Sequence, residues 1–143
     1  MDWTSRALDR LRSAGYRAGA ARRSVIDFLG AQSCCCGAQE IHAALTARGE
    51  KVGLASVYRV LDTLVEHGLV QRVDVGDGVV RYEPARSDAD HHHHLVCADC
   101  GKVERFADPQ LERAIHNVQA RSGYSVVAHE VVLRGACGSC RGA

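Results

Sequence analysis

The sequence carries two C-x-x-C pairs, Cys97-Ala-Asp-Cys100 and Cys137-Gly-Ser-Cys140, with 36 residues between them. Two knuckles of this kind let four thiolates converge tetrahedrally at ~2.3 Å from a zinc ion, with turn N–H groups supporting the sulfurs. Gly101 and Gly138 stand where each knuckle has to turn sharply. Buried or redox-active dithiols are the other reading of such pairs, and a single C-x-x-C would fit them better. Four thiolates leave no position open for water, so the expected zinc is structural. It ties the last strand to an earlier one and makes folding of that region metal-dependent.

Seven cysteines in 143 residues would suit a disulfide framework only in an oxidising compartment. No stretch approaches the ~18 apolar residues of a membrane span, and the N-terminus lacks a signal-peptide core. A cytoplasmic location is expected, where metal or redox roles for cysteine come first. The net charge of +1 identifies no partner. Locally, however, Arg6, Arg10, Arg12, Arg17, Arg22 and Arg23 face only Asp2 and Asp9, a basic segment that either meets phosphate or forms a solvated helix face.

Apolar residues recur at helical spacing in Trp3, Ala7, Leu8 and Leu11, then in Val25, Ile26, Phe28 and Leu29, then in Ile41, Ala44 and Leu45. A fourth stripe, Val57, Val60, Leu61, Leu64 and Val65, lies opposite Arg59, Asp62, Thr63 and Glu66. Gly15, Gly30, Gly49 and Gly68 are expected to cap the four helices. From Leu69 two β-branched runs flank Gly76-Asp77-Gly78, which predicts a hairpin. Helices followed at once by a hairpin describe a winged helix-turn-helix over residues 1–84. Residues 85–90 are polar and aperiodic and read as a linker.

Residues 91–143 read as a small α/β domain. Strands are expected in HHHHLVC and VERF, then a helix opened by Asp108 as N-cap and Pro109 and closed near Gly123, then a long strand in YSVVAHEVVLRGAC. The helix stripe is Leu111, Ile115 and Val118. So few residues make a marginal core, which dimerisation would complete.

Within His91-His92-His93-His94, alternation along a strand sends His91 and His93 one way and His92 and His94 the other. Two metal sites could then share one strand, neutral imidazole being available at cellular pH; a polar exposed strand is the alternative. Completing ligands could come from Glu83, Asp88, Asp90, Glu104, Glu112, His129 or the Cys34-Cys35-Cys36 run, which also reads as a helix-entry loop.

In GLASVYRVLDTL at 53–64, HHHHLVCADCGKV at 91–103 and the distal C-x-x-C, the chain resembles the ferric uptake regulator (Fur) family of metal-sensing bacterial repressors. The resemblance implies an N-terminal winged-helix DNA-binding domain, a C-terminal α/β dimerisation domain and a hinge set by a regulatory metal. It places Cys97, Cys100, Cys137 and Cys140 at the structural zinc site. Glu83, His92 and His94 match the sensory site, and His91, His93, Glu112 and His129 match an additional metal site. Tyr58, Arg59, Arg22 and Arg17 match DNA-contacting positions, and Ser56 stands beside them early on the fourth helix. Four departures stand out: Cys35 where iron-type members often carry histidine, Arg105 where the family has glutamate, His93 where aspartate is common, and Glu83-Pro84-Ala85 where zinc-type members often carry cysteine. A thiol ligand at Cys35 shifts the expected regulatory ion towards zinc rather than iron.

The chain is therefore expected to be a non-enzymatic, homodimeric repressor of metal-uptake genes that binds operator DNA when its regulatory site is filled. A zinc storage or delivery protein would have no use for the recognition helix. A zinc-dependent hydrolase would need an open zinc position and a general base, and the deaminase pattern H-x-E with P-C-x-x-C is absent.

Overall fold

A computed structural model describes residues 2–17, 19–85 and 91–142, in two compact units, Met1–Arg86 and Ser87–Ala143. Of the segment read as a linker, 85–90, only Ala85 is among the described residues; Asp88 and Asp90 lie outside them. No helix among the described residues is long and apolar enough to cross a membrane.

The first unit runs α1 (Trp3–Ser13), α2 (Ala20–Ala31), β1 (Cys36–Gly37), α3 (Ala38–Ala47), α4 (Leu54–Glu66), β2 (Val70–Asp74) and β3 (Val80–Pro84). Asp2 opens α1 by accepting the Ser5 N–H at 2.7 Å, which satisfies one of the unpaired donors of the first turn. The four helices turn their apolar stripes inward, and Leu11, Ile26, Leu29, Ile41, Leu45, Val57, Leu61 and Leu64 are fully buried in one cluster with Val70 and Tyr82. Trp3 Nε1 donates to the Leu69 carbonyl at 3.0 Å and pins α1 to the start of the hairpin.

Gly15, Gly49 and Gly68 follow α1, α3 and α4 with positive φ, as left-handed caps do. Gly30 departs from the expectation. It lies inside the last turn of α2, which continues to Ala31. A side chain there would run into the Thr4 hydroxyl on α1, so close helix approach, not capping, is what glycine permits.

The hairpin is a three-stranded sheet of order β1-β3-β2. β3 pairs antiparallel with β2 and, on its other edge, with the short β1 in the register Cys36↔Tyr82 and Gly37↔Arg81. The Asp74 and Asp77 carboxylates accept the N–H groups of Gly76 and Val79, at 2.7 and 3.1 Å, which closes the turn. The arrangement is a winged helix-turn-helix.

The second unit holds β4 (His93–Cys97), β5 (Val103–Phe106), α5 (Pro109–Ser122) and β6 (Val132–Gly135). The Asp108 carboxylate accepts the Gln110 N–H at 2.8 Å, Pro109 occupies the first turn, and Gly123 ends α5 at φ 77°. The sheet order is β5-β4-β6, with β6 parallel to β4. The long strand expected from Tyr124 is shorter than its composition suggests. Only Val132–Gly135 pairs, because a strand needs a neighbour as well as β-branched residues. Val127 is 96% exposed. Among the described residues of this unit only His93, His94, Val96 and Cys97 are buried, and α5 buries none. The chain is α+β, a winged helix followed by a small α/β domain.

Replacing Leu61, fully buried in the first unit, by alanine is expected to lower that unit's unfolding free energy by about 2–5 kcal/mol. Urea unfolding of the full chain, followed by fluorescence of its single tryptophan, Trp3, measures this.

Candidate metal centres and nucleic-acid face

The end of β4 and the segment after β6 bring Cys97, Cys100, Cys137 and Cys140 together, their sulfurs all within 4.8 Å of one another. Parallel pairing puts Cys97 opposite Gly135, and Ala98 N–H donates to the Gly135 carbonyl at 2.8 Å, so the second knuckle starts beside the first. Gly101, at φ 77°, supplies the left-handed turn after the first pair; Gly138 has no positive φ. Cys100 and Cys137 Sγ stand 3.9 Å apart, close to the ~3.8 Å separation of two thiolates on a tetrahedral zinc at ~2.3 Å. Cys97 Sγ accepts N–H bonds from Cys100 and Cys137, which lower its pKa to about 6. Hydrogen bonding with the Cys137 and Cys97 thiols pushes Cys140 up to about 12. Four thiols this close cannot all ionise in isolation, and a dication relieves that conflict. The donor set fits structural zinc.

A second cluster gathers around α5. His93 Nε2 lies 2.6 Å from Glu112 Oε1, His129 Nε2 2.7 Å from Glu112 Oε2, and His91 Nε2 3.1 Å from His129 Nε2. Glu112 is partly buried, which disfavours its charge, but the hydrogen bonds from His93 and His129 outweigh this and hold its pKa below the ordinary value. Three imidazoles and a carboxylate are a competent set for a borderline ion. One contact works against coordination as the site stands. Val131 N–H donates to His93 Nδ1 at 3.2 Å, so the proton of a neutral ring sits on Nε2, the nitrogen facing Glu112. Binding an ion through that nitrogen requires the ring to exchange tautomers and give up the Val131 bond. His92 and His94 stack on the opposite side of the strand, ring centroids 5.1 Å apart, and His94 pairs in register with Arg105. Among the described residues Glu104 takes no part in a metal-ligating cluster and pairs with Lys102 at 3.0 Å.

The first unit has its own donor group. Cys34, Cys35 and Glu83 each place a ligand atom within 4.8 Å of the others. Cys35 and Glu83 are buried, and Gln71 Nε2 donates to Glu83 Oε1 at 2.6 Å. The Cys35 thiol is pushed up by its hydrogen bond with Cys34 and by burial, while the Arg81 guanidinium acts in the opposite direction. Arg81 is itself buried and held by Asp77 at 2.9 Å. Cys36 points elsewhere, packed in the apolar cluster with its sulfur 3.9 Å from the Cys34 carbonyl; burial pushes its thiol up to about 12. β1 is what brings this group to Glu83, and two residues are too short for alternation to reveal. Gln71 and Arg81 had no sequence signal beyond their place in the hairpin.

The outer face of α4 forms a shallow groove against the start of α2, lined by Gly19, Ala21, Arg22, Ser56, Arg59, Val60 and Thr63. Arg59 donates to Ser56 Oγ at 3.0 Å, and Tyr58 is 41% exposed. Arg22 lies over the Tyr16 ring, bonds the Arg17 carbonyl, and keeps a buried Nε without a partner among the described residues. Asp62 turns to Arg72 at 3.2 Å, which neutralises its charge on the face of α4.

Changing Cys140 to serine is expected to release the zinc of the four-cysteine site. It should also abolish hydrogen-exchange protection in β4 and β6, while Trp3 fluorescence stays native. Metal analysis with exchange mass spectrometry checks it.

The ferric uptake regulator family model matches residues 13–134. A ferric uptake regulation protein of Bordetella parapertussis is 34% identical over 132 residues, covering 92% of this chain and 94% of its own. The crystal structure of the Vibrio cholerae ferric uptake regulator, reported for a rearrangement of its DNA-binding domains, superposes with a TM-score of 0.76 at 33% identity, covering 89% of this chain and 96% of that one. The Helicobacter pylori regulator, described with three functional metal-binding sites, gives 0.83 at 25% identity, covering 96% and 93%. With its winged helix, its four-cysteine cluster and a match over most of its length, this chain belongs to the ferric uptake regulator family of metal-responsive transcription regulators.

Proposed function

We propose that the chain is a homodimeric, cytoplasmic repressor that binds a roughly palindromic operator when a regulatory divalent ion, zinc in preference to iron, is held by Glu83, His92 and His94 with Cys35. The observation that carries this reading is that one unit holds both an exposed recognition face and a buried thiol–carboxylate group, Cys34, Cys35 and Glu83. The other proposed ligands, His92 and His94, come from the second unit. When bound, the ion supplies a positive centre to which ligands of both units are drawn. Arrangements in which the ligands converge are then favoured by their higher affinity, and only that difference can shift the population.

Ser56, Tyr58 and Arg59 would meet base edges and phosphate from the early turns of α4, with Arg22 and Arg17 on flanking phosphates. The ion pair with Arg72 keeps Asp62 from opposing that approach. In the second unit Leu95 and Leu133 are register partners and both exposed, near half for Leu133. An apolar sheet face of this kind supports burial against a second copy. His91, His93, Glu112 and His129 form an additional site, secondary because His93 is engaged by Val131. The four-cysteine zinc would be structural, and no catalytic role follows from a filled coordination sphere.

Operator binding by fluorescence anisotropy, titrated against zinc, iron, manganese and nickel, tests the reading. Glu83→Gln is expected to abolish metal-triggered binding while the four-cysteine zinc is retained. Arg59→Ala should weaken binding by about 1–3 kcal/mol with the metal response intact. Binding that survives removal of the labile metal would overturn the sensor mechanism, and rescue by iron alone would overturn the preference for zinc.

A further inference from the structure

We infer that Cys34 is a second thiolate ligand beside Cys35, taking a tetrahedral position in place of one of the two histidines, so that the regulatory site is a two-sulfur site selective for a thiophilic ion such as Zn2+ over Fe2+ or Mn2+. This rests on the proposal that Cys35 and Glu83 belong to a regulatory metal site, and adds the residue that sets its selectivity.

The geometry points to a ligand pair. Cys34 and Cys35 Sγ lie 3.7 Å apart. That is far beyond the ~2.05 Å of a disulfide and matches the ~3.8 Å between two thiolates on one tetrahedral zinc. The four-cysteine clamp of the same chain shows the same spacing, 3.9 Å between Cys100 and Cys137. Neighbouring residues in an extended segment normally send their side chains to opposite faces. Here the chain bends instead, and both sulfurs reach the Glu83 carboxylate, all three ligand atoms lying within 4.8 Å of one another. The next residue, Cys36, shows what alternation does when nothing opposes it: its side chain packs into the apolar cluster. The run of three cysteines thus divides into two that face a carboxylate and one that fills the core.

Two thiolates change the chemistry of the site. Fe2+ and Mn2+ prefer nitrogen and oxygen donors, and a single thiolate leaves them competitive. A second thiolate adds a strong bond for zinc and little for the harder ions. Selectivity then comes from one side chain, two residues before the ladder between β1 and β3.

The test uses the full chain with its four-cysteine site filled with zinc. Co2+ is the probe, since it binds more weakly than Zn2+ and leaves that site undisturbed. Each Co–S bond adds to the near-ultraviolet charge-transfer band of the second, labile site. Cys34→Ser and Cys35→Ser are each expected to remove about half of that band, the double variant all of it, and Cys36→Ser none. Cys34→Ser should also lower zinc affinity at least tenfold while manganese affinity stays within about twofold. Trp3 fluorescence confirms that each variant is folded. A full-strength band and unchanged zinc affinity in Cys34→Ser would overturn the inference, and if Cys35→Ser and Glu83→Gln still weaken binding, the regulatory site itself stands. If Cys34→Ser, Cys35→Ser and Glu83→Gln all bind Co2+ as the parent does, the regulatory site proposed above is wrong as well.

Discussion

The ladder on both edges of β3 is the interaction on which the first unit depends. Its pairing with β2 makes the wing, and its pairing with Cys36 and Gly37 draws the loop before α3 against the hairpin. Without that second edge Cys34 and Cys35 would sit on an untethered loop, away from Glu83, which Gln71 bonds from β2. The same two residues also start α3: Gly37 is its N-cap, and its N–H is accepted by Glu40 at 3.3 Å. A short strand thus fixes three things together: the entry to the helix-turn-helix, the edge of the wing and the position of the donor group.

The second unit is organised by a different force. The first unit buries a continuous apolar cluster drawn from four helices and the sheet. The second buries only His93, His94, Val96 and Cys97 among its described residues, and its helix is amphipathic with no side chain fully covered. Hydrophobic burial on that scale does not offset the conformational entropy of some fifty ordered residues. A zinc held by the four cysteines would supply part of the difference by joining the ends of β4 and β6, the pair that carries the parallel ladder. The exposed Leu95, Val118, Val126 and Leu133 are where a partner would supply more.

What could be read from the sequence follows this physical division. The helix stripes, the hairpin and the Asp108–Pro109 start of α5 were legible because each is a local pattern with a local cause. The cysteine clamp was legible because knuckle spacing is a covalent constraint, independent of packing. The misreadings came where tertiary contact decides: Gly30, kept small by Thr4 on a neighbouring helix, and Tyr124–Val131, which forms no strand among the described residues. β1 was invisible for the same reason, since its two residues become a strand only through β3. The side of the chain on which each histidine falls followed from alternation, but the bond from Val131 to His93, which fixes the ring's tautomer, joins residues 38 apart and leaves no trace in local sequence.

These differences bear on how one small protein can use metal in two ways. An ion that completes a core cannot be released without unfolding the domain it completes, so its occupancy carries no signal. A zinc in the four-cysteine cluster would stand in that position, in the unit with the thinner core. The thiol–carboxylate group belongs to the unit already folded by apolar burial and by β3, so an ion held there, as proposed, would come and go with the scaffold intact. On that proposal, release at the site would be reversible on the timescale of metal exchange, and its free energy would not be consumed in folding. The parallel ladder of β4 with β6 runs up to the clamp at Cys97, and His92 and His94 lie together on the side of the chain opposite His93.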